Sequence, residues 1–390
     1  MDDKKRPLAL HYQKPIPYTH HYIDQKDIVE VTSVLKSDWI TQGPKIREFE
    51  QKLANYVGTK YAVVFSSGTA ALHGACAACK IGPGDEVIVP TLSFVASANC
   101  VLYMGATPIL VDIDSDWLTI DIKAVEKKVG RNTRAIIGVD FAGLPAKWNL
   151  LRRIADKNKL ILIDDASHAL GSKLKNKRIG SIADLTVFSF HPAKIITTGE
   201  GGAVTTSNKI FYERLLRFRH HGILKNEKLN KKYGAWYYEV QDVGYNFRIT
   251  DFQAALGISQ LTKIDKFIKT RRRIWQKYNH AFSRIDELIL PREQNGCFCA
   301  WHIYPIRLND RAKKSRRQVF DFLRKAGIGV QVHYIPIHLF NLYKHKFGYK
   351  RGDFPVTEKY YDSALTLPLF PALKLAQQDY VIRKVKEVLK

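Results

Sequence analysis

Between residues 60 and 206 short apolar stretches alternate with helical ones, and this alternation limits the fold more than any other feature. The apolar stretches are YAVVFSS (61–67), EVIVP (86–90), TPILVDID (107–114), RAIIGVDF (134–141), LILIDD (160–165), DLTVFSF (184–190) and GAVTT (202–206). ALHGACAACK, ASANCVLYMG, IKAVEKKVG and WNLLRRIADKN read as the helices between them. Strand–helix alternation of this kind predicts a seven-stranded, mainly parallel sheet covered on both faces. Ahead of it, IDQKDIVEVTSVLKSD has helical spacing, Gly43 and Pro44 interrupt it, and IREFEQKLANYVG ends at Gly58 as a C-cap.

After residue 250 the pattern changes. DFQAALGISQLTKIDKFIKTRRRIWQKYNHAF reads as one long helical run, AWHIYPIRL as a strand, SRRQVFDFLRKAG as a helix and IGVQVHYIP as a strand. A last helix is expected near 373–390. The chain is therefore read as a large α/β domain over 1–250 with its N-terminal helical segment, and a smaller C-terminal α+β domain over 251–390.

Composition excludes several classes. Of 390 residues, 45% are hydrophobic and 25% charged, which is ordinary for a globular chain and too apolar for disorder. No stretch approaches the roughly 18 apolar residues of a membrane span, and the start lacks an apolar core for a signal peptide. A cytoplasmic protein with no membrane partner is expected. Cys76 and Cys79 form a CxxC, Cys297 and Cys299 are one residue apart, and Cys100 stands alone. That spacing fits no four-ligand zinc site, so no metal is expected and the cysteines are read as reduced and structural. Lys and Arg number 62 against 37 Asp and Glu, a formal charge of +25. The basic runs (KKRPLAL, KLKNKRIG, KNEKLNKKY, the three arginines at 271–273, RAKKSRR) are scattered and carry no nucleic-acid motif. They are read as solvated loops and helix faces, with no specific nucleic-acid partner.

Three stretches carry chemistry. In FSFHPAKIITTGEGGAVTT (188–206) Lys194 follows a strand among small and hydroxyl residues, before Gly199, Gly201 and Gly202. A lysine in a tight, desolvated loop suits Schiff-base chemistry, because burial lowers its pKa and frees the amine. A surface lysine on a hairpin fits the same letters. In LILIDDASHALGS two carboxylates, Asp164 and Asp165, close an apolar strand with His168 just beyond. Strand ends are where α/β sheets bind ligands, and a carboxylate there can pair with a protonated pyridine nitrogen; a helix N-cap is the plainer alternative. Ser66, Ser67, Gly68 and Thr69 lie between a strand and a helix, which makes either a phosphate site or a turn.

The order of these stretches, with Lys194 lying 29 residues beyond Asp165, resembles fold-type I enzymes that use pyridoxal 5'-phosphate. In detail the chain resembles the DegT/DnrJ/StrS sugar-nucleotide aminotransferases. The marks are WITQGP (39–44), SSGTAALH (66–73), PTLSFVASAN (90–99), DDASHALGS (164–172), FSFHPAKIITTGEGG (188–202), GYNFRITDFQAALG (244–257), VHYIPIH (332–338) and LPLFP (367–371). VDFAG (139–143), SHALGSKLKNKRIG (167–180) and HYIPIHLFNLYKHKF (333–347) resemble the pseudaminic acid branch of that family. Asp140, where many members have His, favours that branch.

The resemblance implies roles. Lys194 would hold the cofactor through its amine and then move a proton between C4' of the cofactor and C4 of the sugar. Asp165 would hold the pyridinium N–H, Phe94 would stack on the ring, and His168 would lie near the phenolic oxygen. Gly68, Thr69 and Ser189 would bind the phosphate, joined by Asn246 from a neighbouring subunit, so that a homodimer would share its active sites. Tyr18, Asp38, Trp39, Ile40, Thr41, His333 and Tyr334 would line the sugar-nucleotide site. The substrates implied are a UDP- or TDP-linked 4-keto-6-deoxy sugar and L-glutamate. Lys194 speaks against the family's dehydratases, which lack that lysine, and scattered charge speaks against a nucleic-acid-binding regulator.

Overall fold

The computed structural model describes residues 15–390. Helix α1 (Gln25–Leu35) opens on a capping box between Asp24 and Asp27. Pro44 starts α2 (Pro44–Val57), and Gly58 ends it in the left-handed region at φ 83°. Both helices and the Gly58 cap stand where the sequence pattern puts them.

The central sheet holds β1 (Tyr61–Phe65), β2 (Glu86–Pro90), β3 (Thr107–Val111), β4 (Thr133–Val139), β5 (Ile161–Asp165), β6 (Leu185–Ser189) and β7 (Gly202–Thr206) in the order β1-β7-β6-β5-β4-β2-β3. Strands β2 to β6 pair in parallel. Strand β7 runs antiparallel to both its neighbours, β1 and β6. The seven strands and their mainly parallel run agree with the sequence reading.

Side-chain alternation divides the core between the two faces. Val63, Phe65, Val87, Val89 and Ile163 face one apolar layer with α3 (Gly68–Ala78), α4 (Ala96–Tyr103) and α7 (Lys209–Arg219). Ala62, Val64, Ile88 and Leu162 face the other, with α2, α5 (Ile122–Lys128) and α6 (Trp148–Asn158). The same alternation separates Asp165, which shares a face with Ile163, from Asp164, which shares one with Leu162 and is fully buried.

The helical run after 250 is two helices, α8 (Asp251–Leu261) and α9 (Ile264–Phe282). No glycine or proline marks the break. Lys263 at the corner reaches Asp24 at 2.7 Å and Asp27 at 2.6 Å, so docking on α1 sets the bend. Ala254, Ile258, Leu261 and Ile264 pack into the core of the large sheet. A separate apolar cluster gathers Ile274, Tyr278 and Phe282 with β8 (Leu288–Ile289), β9 (Tyr304–Leu308), α10 (Arg316–Lys325) and, after α11 (Pro355–Ser363), β10 (Ala364–Leu367) and α12 (Leu375–Leu389). Strands β8, β9 and β10 form an antiparallel sheet in that order.

Two further expectations fail. The segment IGVQVHYIP is extended but is not a strand; it makes single bridges, Ile328 to Ile16 and Gln331 to Thr366. Its side chains serve a cavity instead of a ladder. Of the three arginines at 271–273 only Arg273 is solvated, because Arg271 is fully buried and Arg272 pairs with Glu293. KLKNKRIG forms a small hairpin, Lys173–Leu174 against Lys177–Arg178, exposed at its turn and paired on its other side with Cys297–Phe298, while KKRPLAL lies outside the described residues. All five cysteines are free, and Cys76 meets Cys100 (Sγ to Sγ 3.6 Å) instead of Cys79. Among the described residues no helix is long and apolar enough to cross a membrane.

Candidate active site

A cavity of about 660 Å³ opens where β5, β6 and the start of α3 meet the 331–335 segment. Tyr18, Gly68, Thr69, Phe94, Asp165, His168, Ser189, Lys194, His333 and Tyr334 all line it. Ten positions scattered over more than 300 residues of sequence are thus brought to one place. Asp38, Trp39, Ile40, Thr41 and Asn246 do not line it. Trp39 and Ile40 are exposed between α1 and α2, Thr41 bridges to Thr250, and Asn246 bridges to His220.

Asp165 enters the cavity from the end of β5. Its Oδ2 accepts from Ser97 Oγ at 2.5 Å, and its Oδ1 accepts from Ser167 Oγ at 2.6 Å and the Ser167 amide at 3.2 Å. Ser97 contacts Ser93 Oγ at 2.6 Å. Neither aspartate caps a helix. Ser97 escaped the sequence reading; its signal was a serine four residues beyond Ser93, one helical turn away in the stretch that follows β2.

Lys194 sits in the loop between β6 and β7. Burial draws its amine down to about 8, and the nearby Asp165 charge offsets part of that effect. The histidines around it are neutral. Burial and then Lys194 hold His168 well below its usual value, burial with His168, Lys194 and Arg271 does the same to His302, and His333 falls to about 4. His168 Nδ1 accepts the Ala142 amide at 3.3 Å, which assigns the ring proton to Nε2, and Nε2 lies 2.9 Å from the Tyr334 hydroxyl. With Nε2–H donating, the Tyr334 O–H is left free to donate into the cavity.

The start of α3 closes one end. Ser67 caps the helix by accepting the Ala70 amide at 3.1 Å, and the first amides of a helix lack partners within it. Space beside them is tight: a Cβ on Gly68 would stand 2.9 Å from Ser189 Cβ, and one on Gly202 would stand 2.5 Å from Ser67 O and 2.7 Å from the Gly68 nitrogen. A desolvated amine, a carboxylate held by two serines and a glycine-lined helix start form a donor set that fits pyridoxal 5'-phosphate. Asp140 does not reach the cavity. Its Oδ1 accepts the Ala146 amide at 2.7 Å and Trp148 Nε1 at 2.9 Å, and burial pushes its carboxyl up to about 7.

The pattern of the DegT/DnrJ/EryC1/StrS aminotransferases matches residues 21–386. The chain belongs to this family. It is a sugar aminotransferase that uses pyridoxal 5'-phosphate. It is 38% identical to the UDP-4-amino-4,6-dideoxy-N-acetyl-beta-L-altrosamine transaminase of Campylobacter jejuni (strain 81-176), over 94% of this chain and 95% of that one. It is also 38% identical to the spore coat polysaccharide biosynthesis protein SpsC of Bacillus subtilis, over 96% and 97%. Among solved structures, Helicobacter pylori PseC, an aminotransferase of pseudaminic acid biosynthesis, superposes with a TM-score of 0.90 at 33% identity, covering 96% of this chain and 99% of that one. The PMP form of Spr1654 from Streptococcus pneumoniae superposes at 0.91 with 32% identity, over 96% and 98%.

Proposed function

We propose that the chain transfers an amino group from L-glutamate to C4 of UDP-2-acetamido-2,6-dideoxy-β-L-arabino-hexos-4-ulose, as a homodimer with shared active sites. The observation that carries the reading is the buried Lys194 amine, with a pKa drawn to about 8, in one cavity with Asp165 and the α3 start. The likeness to the Campylobacter transaminase supports the choice of sugar.

Bound there, pyridoxal phosphate supplies an electron-withdrawing ring that acidifies the C–H beside its nitrogen. Lys194, its amine drawn down to about 8, would in its neutral form carry the proton in both halves, from the glutamate carbon to the cofactor and then from the cofactor to sugar C4. Asp165 would accept the ring N–H, with Ser97 and Ser167 fixing its two oxygens. Gly68, Thr69 and Ser189 would hold the phosphate, and Phe94 would cover the ring. Tyr334 turns its hydroxyl proton toward the sugar because His168 occupies its lone pair. Tyr18 and His333, with ring centroids 5.7 Å apart, form the wall that meets the sugar. Asn246 lies outside its own cavity, consistent with service to a partner's phosphate, and Asp38 to Thr41 extend the nucleotide site.

The test is a panel of 4-keto sugar nucleotides with glutamate, read by mass spectrometry. The L-arabino compound is expected to give the highest kcat/KM, and Lys194→Ala to give no product. A 4-keto-6-deoxyglucose nucleotide that wins would reassign the enzyme to a viosamine-type product. Buried hydrogen-bonding groups left unpaired by the wrong epimer make such discrimination large.

A further inference from the structure

Helix α9 turns an inward stripe of Ile264, Phe267, Ile268, Ile274, Tyr278 and Phe282. Arg271 stands within that stripe, 1% exposed, where the helical period calls for another apolar residue. Ile264, Phe267 and Ile268 belong to the core of the large sheet; Ile274, Tyr278 and Phe282 belong to the second core. Arg271 therefore occupies the seam between them.

Its guanidinium is spent on backbone carbonyls. Nη1 donates to His302 O at 3.0 Å, to Leu369 O at 3.0 Å and to Trp301 O at 3.4 Å, and Nη2 donates to Lys194 O at 3.4 Å. Its Nε has no partner. Burial alone draws its pKa to about 9, so it stays charged at neutral pH. A buried cation without a counter-ion is costly, and an apolar side chain would suit the stripe better. Arg271 does not line the large cavity, so it cannot act on substrate directly.

We propose that Arg271 is a positioning residue for Lys194, which clamps the Lys194 backbone to the second core. The proposal rests on Lys194 being the reactive amine. Around that amine, Asp165 favours its protonation while burial opposes it; His168, His302 and His333 stay neutral, and Tyr334 stays protonated.

The test compares holoenzymes carrying Arg271→Met and Arg271→Lys with wild type. The readouts are kcat and KM for the sugar nucleotide. For Arg271→Met, kcat is expected to fall about 100-fold, with KM held within about threefold, because alignment is lost and binding is not. Arg271→Lys keeps some of the donors, so kcat is expected to fall by only about tenfold. Wild-type kcat in folded Arg271→Met, even with a lower melting temperature, would overturn the proposal. If Arg271→Met does not fold, wild-type kcat in Arg271→Lys would do so. Product formation by Lys194→Ala would instead bring down the lysine reading and this proposal with it.

Discussion

Ser97 on helix α4 donates to Asp165 at the end of β5 across 2.5 Å, so a helix and a strand from different parts of the chain jointly fix one carboxylate oxygen. Ser167 fixes the other. The cavity's acceptor for a ring N–H is thus held on both sides before any ligand arrives, which is the preorganisation that electrostatic catalysis needs.

Removing one of the two anchors isolates its share. Ser97→Ala is expected to lower kcat about tenfold, since a hydrogen bond to a charged group is worth about 1.5 kcal/mol and each 1.4 kcal/mol is a factor of ten. Steady-state kinetics with both substrates checks this; an unchanged kcat would mean Ser167 suffices.

Gly202→Ala places a Cβ against backbone on two sides, Ser67 O at 2.5 Å and the Gly68 nitrogen at 2.7 Å. Neither can swing away as a side chain could. Destabilisation of about 1–3 kcal/mol is expected, as for other overpacked sites, together with weaker retention of the cofactor, because the start of α3 must shift. Thermal melts with and without added pyridoxal phosphate read both effects. A variant that keeps wild-type cofactor affinity would separate that turn from the phosphate site.

Lys194 makes apo-protein stability depend on alkaline pH. Its folded pKa of about 8 lies below the unfolded value, so between the two the unfolded chain binds more protons and stability rises with pH. The cost of burying the amine is full below pH 8 and is relieved as pH climbs toward 10.5. Urea denaturation of wild type and Lys194→Met across that window should show wild type gaining a few kcal/mol on the variant. A constant difference between the two would refute a depressed lysine.

Asn246 offers a test of the shared site. Lys194→Ala and Asn246→Ala subunits, each inactive alone, should regain part of the wild-type rate on mixing, because one hybrid site then has both residues. Mixtures that stay inactive despite subunit exchange would assign Asn246 to its own subunit.

Much of this was legible in the sequence because the central sheet obeys local rules. β2 and β7 begin and end where their apolar runs do, and α6 coincides with WNLLRRIADKN. Lys194, Asp165 and Gly68 were findable because each ends or follows such a run. The illegible parts depend on partners far away in sequence. IGVQVHYIP has strand composition, but composition states only that backbone is extended, not that a neighbour exists for it. The break at Thr262–Lys263 is set by Asp24 and Asp27 on α1, which periodicity within 251–282 cannot register. Arg271 looks like its neighbours in the basic run, and only the packing of two cores around α9 distinguishes it.

The pairing of Ser189 with Gly202 has a practical consequence. The Lys194 loop leaves the sheet and rejoins it at adjacent rungs, so its two ends are fastened together independently of what lies between. Residues 190–201 are in that sense a cassette. Phe190, Ile195 and Ile196 of that cassette are buried in the core of the large sheet, and Arg271 holds the Lys194 carbonyl, so a loop from a relative spliced in at these rungs must bring the same apolar anchors to keep its lysine in place.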